Sequence, residues 1–363
     1  MAQKRIGILT GGGDCPGLNA VIRGVAKASI GTHGMDVIGV EDGFEGLVDR
    51  RVMILNWMKV SGILTQGGTI LGTTNRGDPF KWPVAKDGPN VKYADVSDAV
   101  IQYTEELGLD ALVCIGGDGT MSIAHKLNEK GLPIVGVPKT IDNDIVGTDI
   151  TFGFDSAVAT ATEAIDKIHS TAMSHHRAMV IEVMGRYAGW LALQSGIAGG
   201  GDVILLPEIP YDVEKVSQVV FNRSKQGRQF SIIIVAEGAK PKDGELVVQE
   251  TIEGRPDPIR LGGVGQQVAK AIEYHTGIET RVTVLGHLQR GGTPTAFDRV
   301  LSTRFGVAAA ETIVAGKLDT MVALQGTSIV NVPLNEVGGK SRLVTLDDPL
   351  IDVARKVGTC LGD

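Results

Sequence analysis

Short apolar, β-branched runs punctuate the chain at Arg5 to Thr10, Asp36 to Val40, Ala111 to Ile115, Pro133 to Val137, Ala178 to Val183, Val203 to Leu206, Ser231 to Ala236, Val282 to Leu285 and Met321 to Leu324. Each has the length and residue type of a buried strand. Between most of them apolar residues recur at helical spacing, as in Val213, Val216, Val219 and Val220, or Ala157, Ala161, Ile165 and Ile168. Strand, glycine turn, helix, strand is the pattern of a sheet wound with helices, so the predicted fold class is α/β with largely parallel sheets. Ligands in such folds bind beyond the carboxyl ends of the strands. The turns after the apolar runs are therefore where function is expected.

Composition narrows the class. The chain has 363 residues, 43% hydrophobic and 21% charged, which at roughly 100 to 200 residues per domain predicts two domains. Its 49 glycines, nearly twice the roughly 7% average usage, cluster at the ends of the apolar runs. A net charge of −7 argues against a nucleic-acid partner, which calls for a basic face; any phosphate site must be local. Cys15, Cys114 and Cys360 are too few and scattered for a disulfide framework or zinc motif, and read as reduced thiols. The apolar run before Gly11 is too short for a signal-peptide core or a membrane span, so no membrane partner and a cytoplasmic location are expected. No linker or fixed-period repeat divides the chain. A boundary near residue 153 is weakly marked, and Pro241 to Asp257 reads as an exposed excursion.

The chemistry concentrates in five turns. In Thr10-Gly11-Gly12-Gly13-Asp14-Cys15-Pro16-Gly17, backbone amides can converge on an anion ahead of a helix beginning near Leu18; a tight turn needing positive φ is the alternative. It is neither the P-loop nor the dinucleotide fingerprint, because no Lys-Ser/Thr follows and the glycine spacing differs. In Ile115-Gly116-Gly117-Asp118-Gly119-Thr120, glycines admit a polyphosphate and Asp118 offers an oxygen to Mg²⁺, or else only caps a helix. Pro138-Lys139-Thr140-Ile141-Asp142-Asn143-Asp144 carries two carboxylates two residues apart, which in an extended segment point the same way. One can accept a hydroxyl proton while the other steadies metal or water, the division of labour that phosphoryl transfer asks for; an Asx turn is the alternative. In the fourth, His175-His176-Arg177 precedes a strand that ends in Glu182-Val183-Met184-Gly185-Arg186-Tyr187-Ala188-Gly189, so two planar donor forks flank it, while the tandem histidines lack a spaced third metal ligand. In the fifth, Arg281, His287 and Arg290 bracket one short strand, which suits a dianionic monoester, with surface ion pairing as the alternative.

Gly-Gly-Asp-Gly-Thr at 116–120 resembles a nucleotide-binding signature shared by phosphofructokinases, NAD kinases and diacylglycerol kinases. The Thr140 to Asp144 turn is more specific, and the five blocks, in order from residue 6 to about 305, resemble the 6-phosphofructokinase family. That resemblance implies two similar-sized three-layer α/β domains with the active site in the cleft between them. Residues 1–153 plus about 289–340 would bind the donor, and 154–288 plus about 341–363 the sugar phosphate. It implies that Asp142 is the base activating the 1-hydroxyl of fructose 6-phosphate, with Lys139 and Arg186 as further catalytic groups. Gly12, Gly13, Arg76, Gly117, Asp118, Gly119 and Thr120 would bind the donor, Asp118 also holding Mg²⁺. Thr140, Asp142, Asp144, Arg177, Met184, Gly185, Arg186, Glu237, Arg281, His287 and Arg290 would bind the sugar phosphate, Arg177 and Arg281 reaching across an interface in a homotetramer or homodimer.

Two positions bear on the donor. Gly119 resembles the ATP-using branch, since pyrophosphate-using relatives carry an acidic side chain there that would repel a nucleotide's α-phosphate. Lys139 resembles the pyrophosphate branch. An ammonium does not obstruct ATP whereas an acidic residue 119 would, so ATP is the expected donor and pyrophosphate the alternative. In Gly72-Thr73-Thr74-Asn75-Arg76, Asn75 holds the register of the family's donor-clamping arginine and Arg76 falls one residue later. Ser122 and Ile123 depart from the glycine-rich adenine side. Arg23 and Lys27 resemble part of the bacterial effector cluster while His169 and Trp57 replace other members, so weak or absent regulation by a nucleoside diphosphate or phosphoenolpyruvate is expected. A silent sensor on the same fold is disfavoured by Asp118 and Asp142 together, and an NAD or lipid kinase by the sugar-pocket arginines.

Overall fold

Two sheets organise the chain in a computed structural model that describes residues 3–87, 90–251 and 259–363. The first has seven strands in the order Ser328–Pro333, Thr320–Gln325, Ile134–Pro138, Ala111–Gly116, Arg5–Thr10, Asp36–Val40, Val52–Leu55. Its inner five run parallel, and the two edge strands pair antiparallel. The second sheet has four parallel strands in the order Thr280–Val284, Ala178–Val183, Ser231–Ala236, Val203–Leu205. The inner strands are buried on both faces, as helix-covered parallel strands must be.

All the predicted strands are present, with ends displaced by a residue or two. One displacement matters: the strand expected from Val282 begins at Thr280, so Arg281 lies inside it rather than beside it. Val52–Leu55 and the Thr320–Gln325/Ser328–Pro333 pair extend the first sheet beyond the second. The expected helices form over Leu18–His33, Phe154–His175 and Val213–Lys225. Of the predicted excursion Pro241 to Asp257, residues 252–257 lie outside the described residues.

Helix Phe154–His175 carries the chain from the first sheet to the second. Helix Ala296–Val314 brings it back and lies along Leu18–His33. The two backbones can approach because Gly24 and Gly306 both lack a Cβ at the contact: one built on Gly306 would meet Val21 O at 2.6 Å and Gly24 Cα at 2.9 Å. The C-terminus then recrosses, Cys360 bridging to Val203. One hydrophobic cluster joins Ile8, Ile115 and Val137 of the first sheet to Ile181, Ile204 and Ile234 of the second through Phe152 and Phe305. Among the described residues no helix is long and apolar enough to cross a membrane.

Candidate active site

The carboxyl ends of both sheets meet, and the side chains singled out above divide between that meeting place and its opposite edge. At the first sheet, Thr73 Oγ1 donates to Gly12 O at 2.6 Å and Gly12 N to Thr74 O at 3.1 Å, which pins the 72–76 loop to the glycine turn. Gly12 takes φ 78, and a Cβ there would lie 3.3 Å from Lys139 Nζ and 3.9 Å from Asn75 Oδ1. Asn75 thus comes close to the turn, with Arg76 exposed beside it. Lys139 is 4% exposed and its ammonium donates to Gly13 O. Burial pushes its pKa down, Arg290 adds to that, and Asp142 opposes it.

Helix Asp118–Glu129 is capped by Gly117 without a side-chain cap bond, so the Asp118 carboxylate does not serve as its N-cap. Next to it Gly119 faces open space: a Cβ there would meet nothing within 4 Å. Thr120 behaves differently from a ligand contact. It is buried, and its Oγ1 would lie 2.7 Å from a Cβ at Gly11 and 2.2 Å from one at Gly116, so it packs between the two turns.

The Asp142 segment is a turn, not the extended run expected. Asn143 sits at φ 53, its Oδ1 accepts from Thr151 N at 3.0 Å, and Thr140 Oγ1 accepts from Asp142 N at 3.0 Å. Asparagine tolerates this left-handed conformation where a branched residue would not. The two carboxylates still converge: burial, followed by the charges of Asp142 and Asp118, pushes Asp144 up to about 7. Asp142 is 4% exposed, and its buried Oδ1 has no hydrogen-bond partner among the described residues. A buried carboxylate oxygen without a partner is costly, and such atoms mark places where a ligand belongs.

From the second sheet, strand Ala178–Val183 runs through Met184 and Gly185 into Arg186, whose φ is 51. Arg186 N donates to Glu237 Oε1 at 3.0 Å, and burial, then the Asp142 charge, pushes Glu237 up to about 7. The 3₁₀ turn Gly286–Arg290 carries His287, exposed, and Arg290, whose Nη1 donates to Asp14 O at 3.0 Å. Arg290 therefore bridges the second sheet to the glycine turn of the first.

Arg177 and Arg281 lie elsewhere. Both are at the amino end of the second sheet and both pair with Glu279, Arg177 Nε at 2.7 Å from Oε2. Six residues of strand separate Arg177 from Met184, about 20 Å at ~3.3 Å per residue. Within one chain, then, the cations at the two ends of a strand do not share one phosphate, contrary to the bracketing read from the sequence. His175 and His176 are explained by the fold, as the last turn and left-handed cap of helix Phe154–His175.

Among the described residues no group of three or more His, Cys, Asp or Glu is arranged to hold a metal ion. Mg²⁺ fits the site in the other usual manner, one or two carboxylates completed by substrate phosphate oxygens, and Asp118, whose carboxylate does not serve as the helix cap, supplies such a donor. Motif reading passed over Glu208 and Arg342. Glu208 closely follows the predicted strand Val203 to Leu206, and the rule about carboxyl-end turns could have found it; Arg342 carries no local signal.

Residues 5–313 match the family model described as Phosphofructokinase. A protein of Spirochaeta thermophila named ATP-dependent 6-phosphofructokinase is 52% identical, over 100% of this chain and 98% of that one. Another, from Clostridium perfringens, named ATP-dependent 6-phosphofructokinase 2, is 50% identical over 99% of both. Among solved structures, Pichia pastoris phosphofructokinase in the T-state superposes with a TM-score of 0.77 at 34% identity, covering 93% of this chain and 35% of that longer one.

Proposed function

The chain belongs to the phosphofructokinase family, and from that membership we propose that it transfers the terminal phosphoryl group of ATP to the 1-hydroxyl of fructose 6-phosphate, a glycolytic step yielding fructose 1,6-bisphosphate and ADP. The observation that carries the site reading is Asp142, buried, with an unpartnered oxygen, where the two sheets meet. Asp142 takes the proton of the 1-hydroxyl, and the oxygen so freed attacks the terminal phosphorus as ADP departs. Lys139 and Arg186 offset the charge that develops on the transferred group. Glu237 and Asp144, both able to carry a proton near neutrality, hydrogen-bond sugar hydroxyls. His287 and Arg290 hold the 6-phosphate, and Met184 and Gly185 line its sugar.

On the donor side, the Gly12 and Gly13 amides and the start of helix Asp118–Glu129 hold the phosphates, with Arg76 and Asn75 at their edge. Asp118 would hold Mg²⁺, which when bound supplies positive charge to the donor phosphates. The open space at Gly119 favours ATP. The division into 1–153 plus about 289–340 for the donor and 154–288 plus about 341–363 for the sugar is supported by which strands join which sheet. Arg177 and Arg281 complete the sugar-phosphate site of a neighbouring subunit in a homotetramer or homodimer; their position about 20 Å from their own chain's site supports this. The reading carries with it a cytoplasmic location.

Initial rates with fructose 6-phosphate and Mg²⁺, run in parallel with ATP and with pyrophosphate, test it. Fructose 1,6-bisphosphate formed with ATP is expected. Pyrophosphate as the faster donor would shift the weight to Lys139 and refute ATP dependence.

A further inference from the structure

The segment after the last motif touches both sides of the site. The short helix Leu334–Val337 packs on helix Asp118–Glu129, and a Cβ on Gly338 would meet Ser122 Cα at 2.9 Å. Ser341 then bridges to Ile145, and Arg342 N donates to Asp144 O at 2.7 Å, just past the Asp142 turn. Facing the other way, Arg342 O accepts from Trp190 Nε1 at 2.9 Å, and its guanidinium stacks 4.2 Å over the Trp190 ring while donating to Asp149 O at 2.9 Å. Two residues on, Val344 N donates to Glu208 Oε1 at 2.9 Å. That same oxygen accepts from Gly189 N at 2.9 Å, the residue closing the Arg186 turn. One strand of chain thus grips the turn of the base on one side and the turn of the sugar-binding arginine on the other.

We infer that residues 341–344 form a positioning strap, with Arg342 at its centre, that sets the separation of Asp142 from the Arg186 turn and so the alignment of the sugar hydroxyl with its base. Arg342 is engaged by Asp144, Asp149 and Trp190 and acts through them as a positioning residue. Alignment is a property of the transition state, so its loss falls on kcat before KM. The inference rests on the functional reading above, and the wild type tests that reading by itself: a wild type making no fructose 1,6-bisphosphate overturns both.

With an active wild type, Arg342→Ala removes the stacking and the Asp149 bond. Trp190→Phe keeps a smaller aromatic ring for the guanidinium to stack on and removes the N–H to Arg342 O, so it carries the test should Arg342→Ala not fold. Each is expected to lower kcat per folded protein about 10-fold or more, with the KM values for ATP and fructose 6-phosphate changed by less than about 3-fold. Arg342→Lys, which keeps the charge, should recover part of the loss. A purely structural strap would lower the melting temperature and leave kcat per folded protein unchanged. That result, or a rise in KM with kcat intact, overturns the inference.

Discussion

Replacing Asp142 with asparagine keeps the shape of the side chain and removes its capacity to accept the sugar's proton. Loss of a positioned base costs about 10²- to 10⁴-fold in rate, about 3 to 5 kcal/mol on the barrier, while the KM for fructose 6-phosphate should move little because the phosphate is held by other groups. The same substitution removes one negative charge from a crowd. Burial, and after it the Asp142 charge, pushes both Asp144 and Glu237 to about 7, so neutralising position 142 should bring both down. Among the described residues the buried Asp142 Oδ1 has no hydrogen-bond partner, so the folded state loses little. The melting temperature is expected to hold or rise, offset only by Lys139 losing the support that Asp142 gives its charge. A coupled steady-state assay and a thermal melt on one preparation measure both. Turnover within about 10-fold of wild type would remove Asp142 as the base; a fall in turnover with a clear drop in melting temperature would trace the loss to collapse of the turn.

Arg290→Ala should raise the fructose 6-phosphate KM by roughly 10- to 100-fold with a smaller change in kcat, the worth of a charge-assisted pair to phosphate; an unchanged KM in the same assay would remove it from the sugar-phosphate site. Gly119→Asp should fold normally, because its Cβ meets nothing within 4 Å, yet raise the ATP KM at least about tenfold through repulsion between carboxylate and phosphate; unaltered ATP kinetics in a protein of unchanged melting temperature would refute this. Asp144, raised from 3.8 to about 7 in the folded protein, contributes stability that is fully present below its unfolded value and is lost as pH rises through about 7. In urea melts at about pH 5 and about pH 8, the wild type should therefore lose stability relative to Asp144→Asn as pH rises, and a constant or opposite difference would overturn the assignment.

Strand positions were legible because a strand buried on both faces must be a continuous apolar run. The strands that escaped notice, Val52–Leu55 and Ser328–Pro333 at the sheet edges and the two antiparallel pairs Trp82–Asp87 with Asn90–Ala94 and Val248–Thr251 with Ile259–Leu261, are partly exposed or short. The active-site turns were legible for a related reason: in a parallel sheet every strand delivers its next few residues to one edge, so Gly12, Asp118, Asp142, Arg186 and Glu237 could be grouped before any distance was known. Flanking a strand does not make residues neighbours: Arg177 and Arg281 pair with Glu279 at the amino end of the second sheet, whereas His287 and Arg290 follow a carboxyl end. Whether two carboxylates converge through an extended run or through a turn at Asn143 depends on Thr140 and Thr151 hydrogen bonds that no local pattern encodes. Arg342 was beyond reach altogether, since its partners Asp144, Asp149 and Trp190 come from segments some 150 to 200 residues away.

A chain of net charge −7 must nonetheless hold two phosphorylated substrates against a cluster of carboxylates, and the arrangement of charges shows how. Desolvation raises Asp144 and Glu237 to about 7, so near neutrality each spends part of its time as an uncharged acid that does not repel a phosphate. Lys139 and Arg290 are drawn onto the glycine turn by the carbonyls of Gly13 and Asp14. Those bonds aim cations at the place where amides already gather, and among the described residues neither cation is in a salt bridge that would cancel its field. Two arginines that do pair with an acid, Arg177 and Arg281 on Glu279, stand at the amino end of the second sheet. Local positive potential in an acidic protein is thus built by letting buried acids keep their protons and by anchoring cations to backbone oxygens, which explains why net charge alone is a poor guide to what this site can bind.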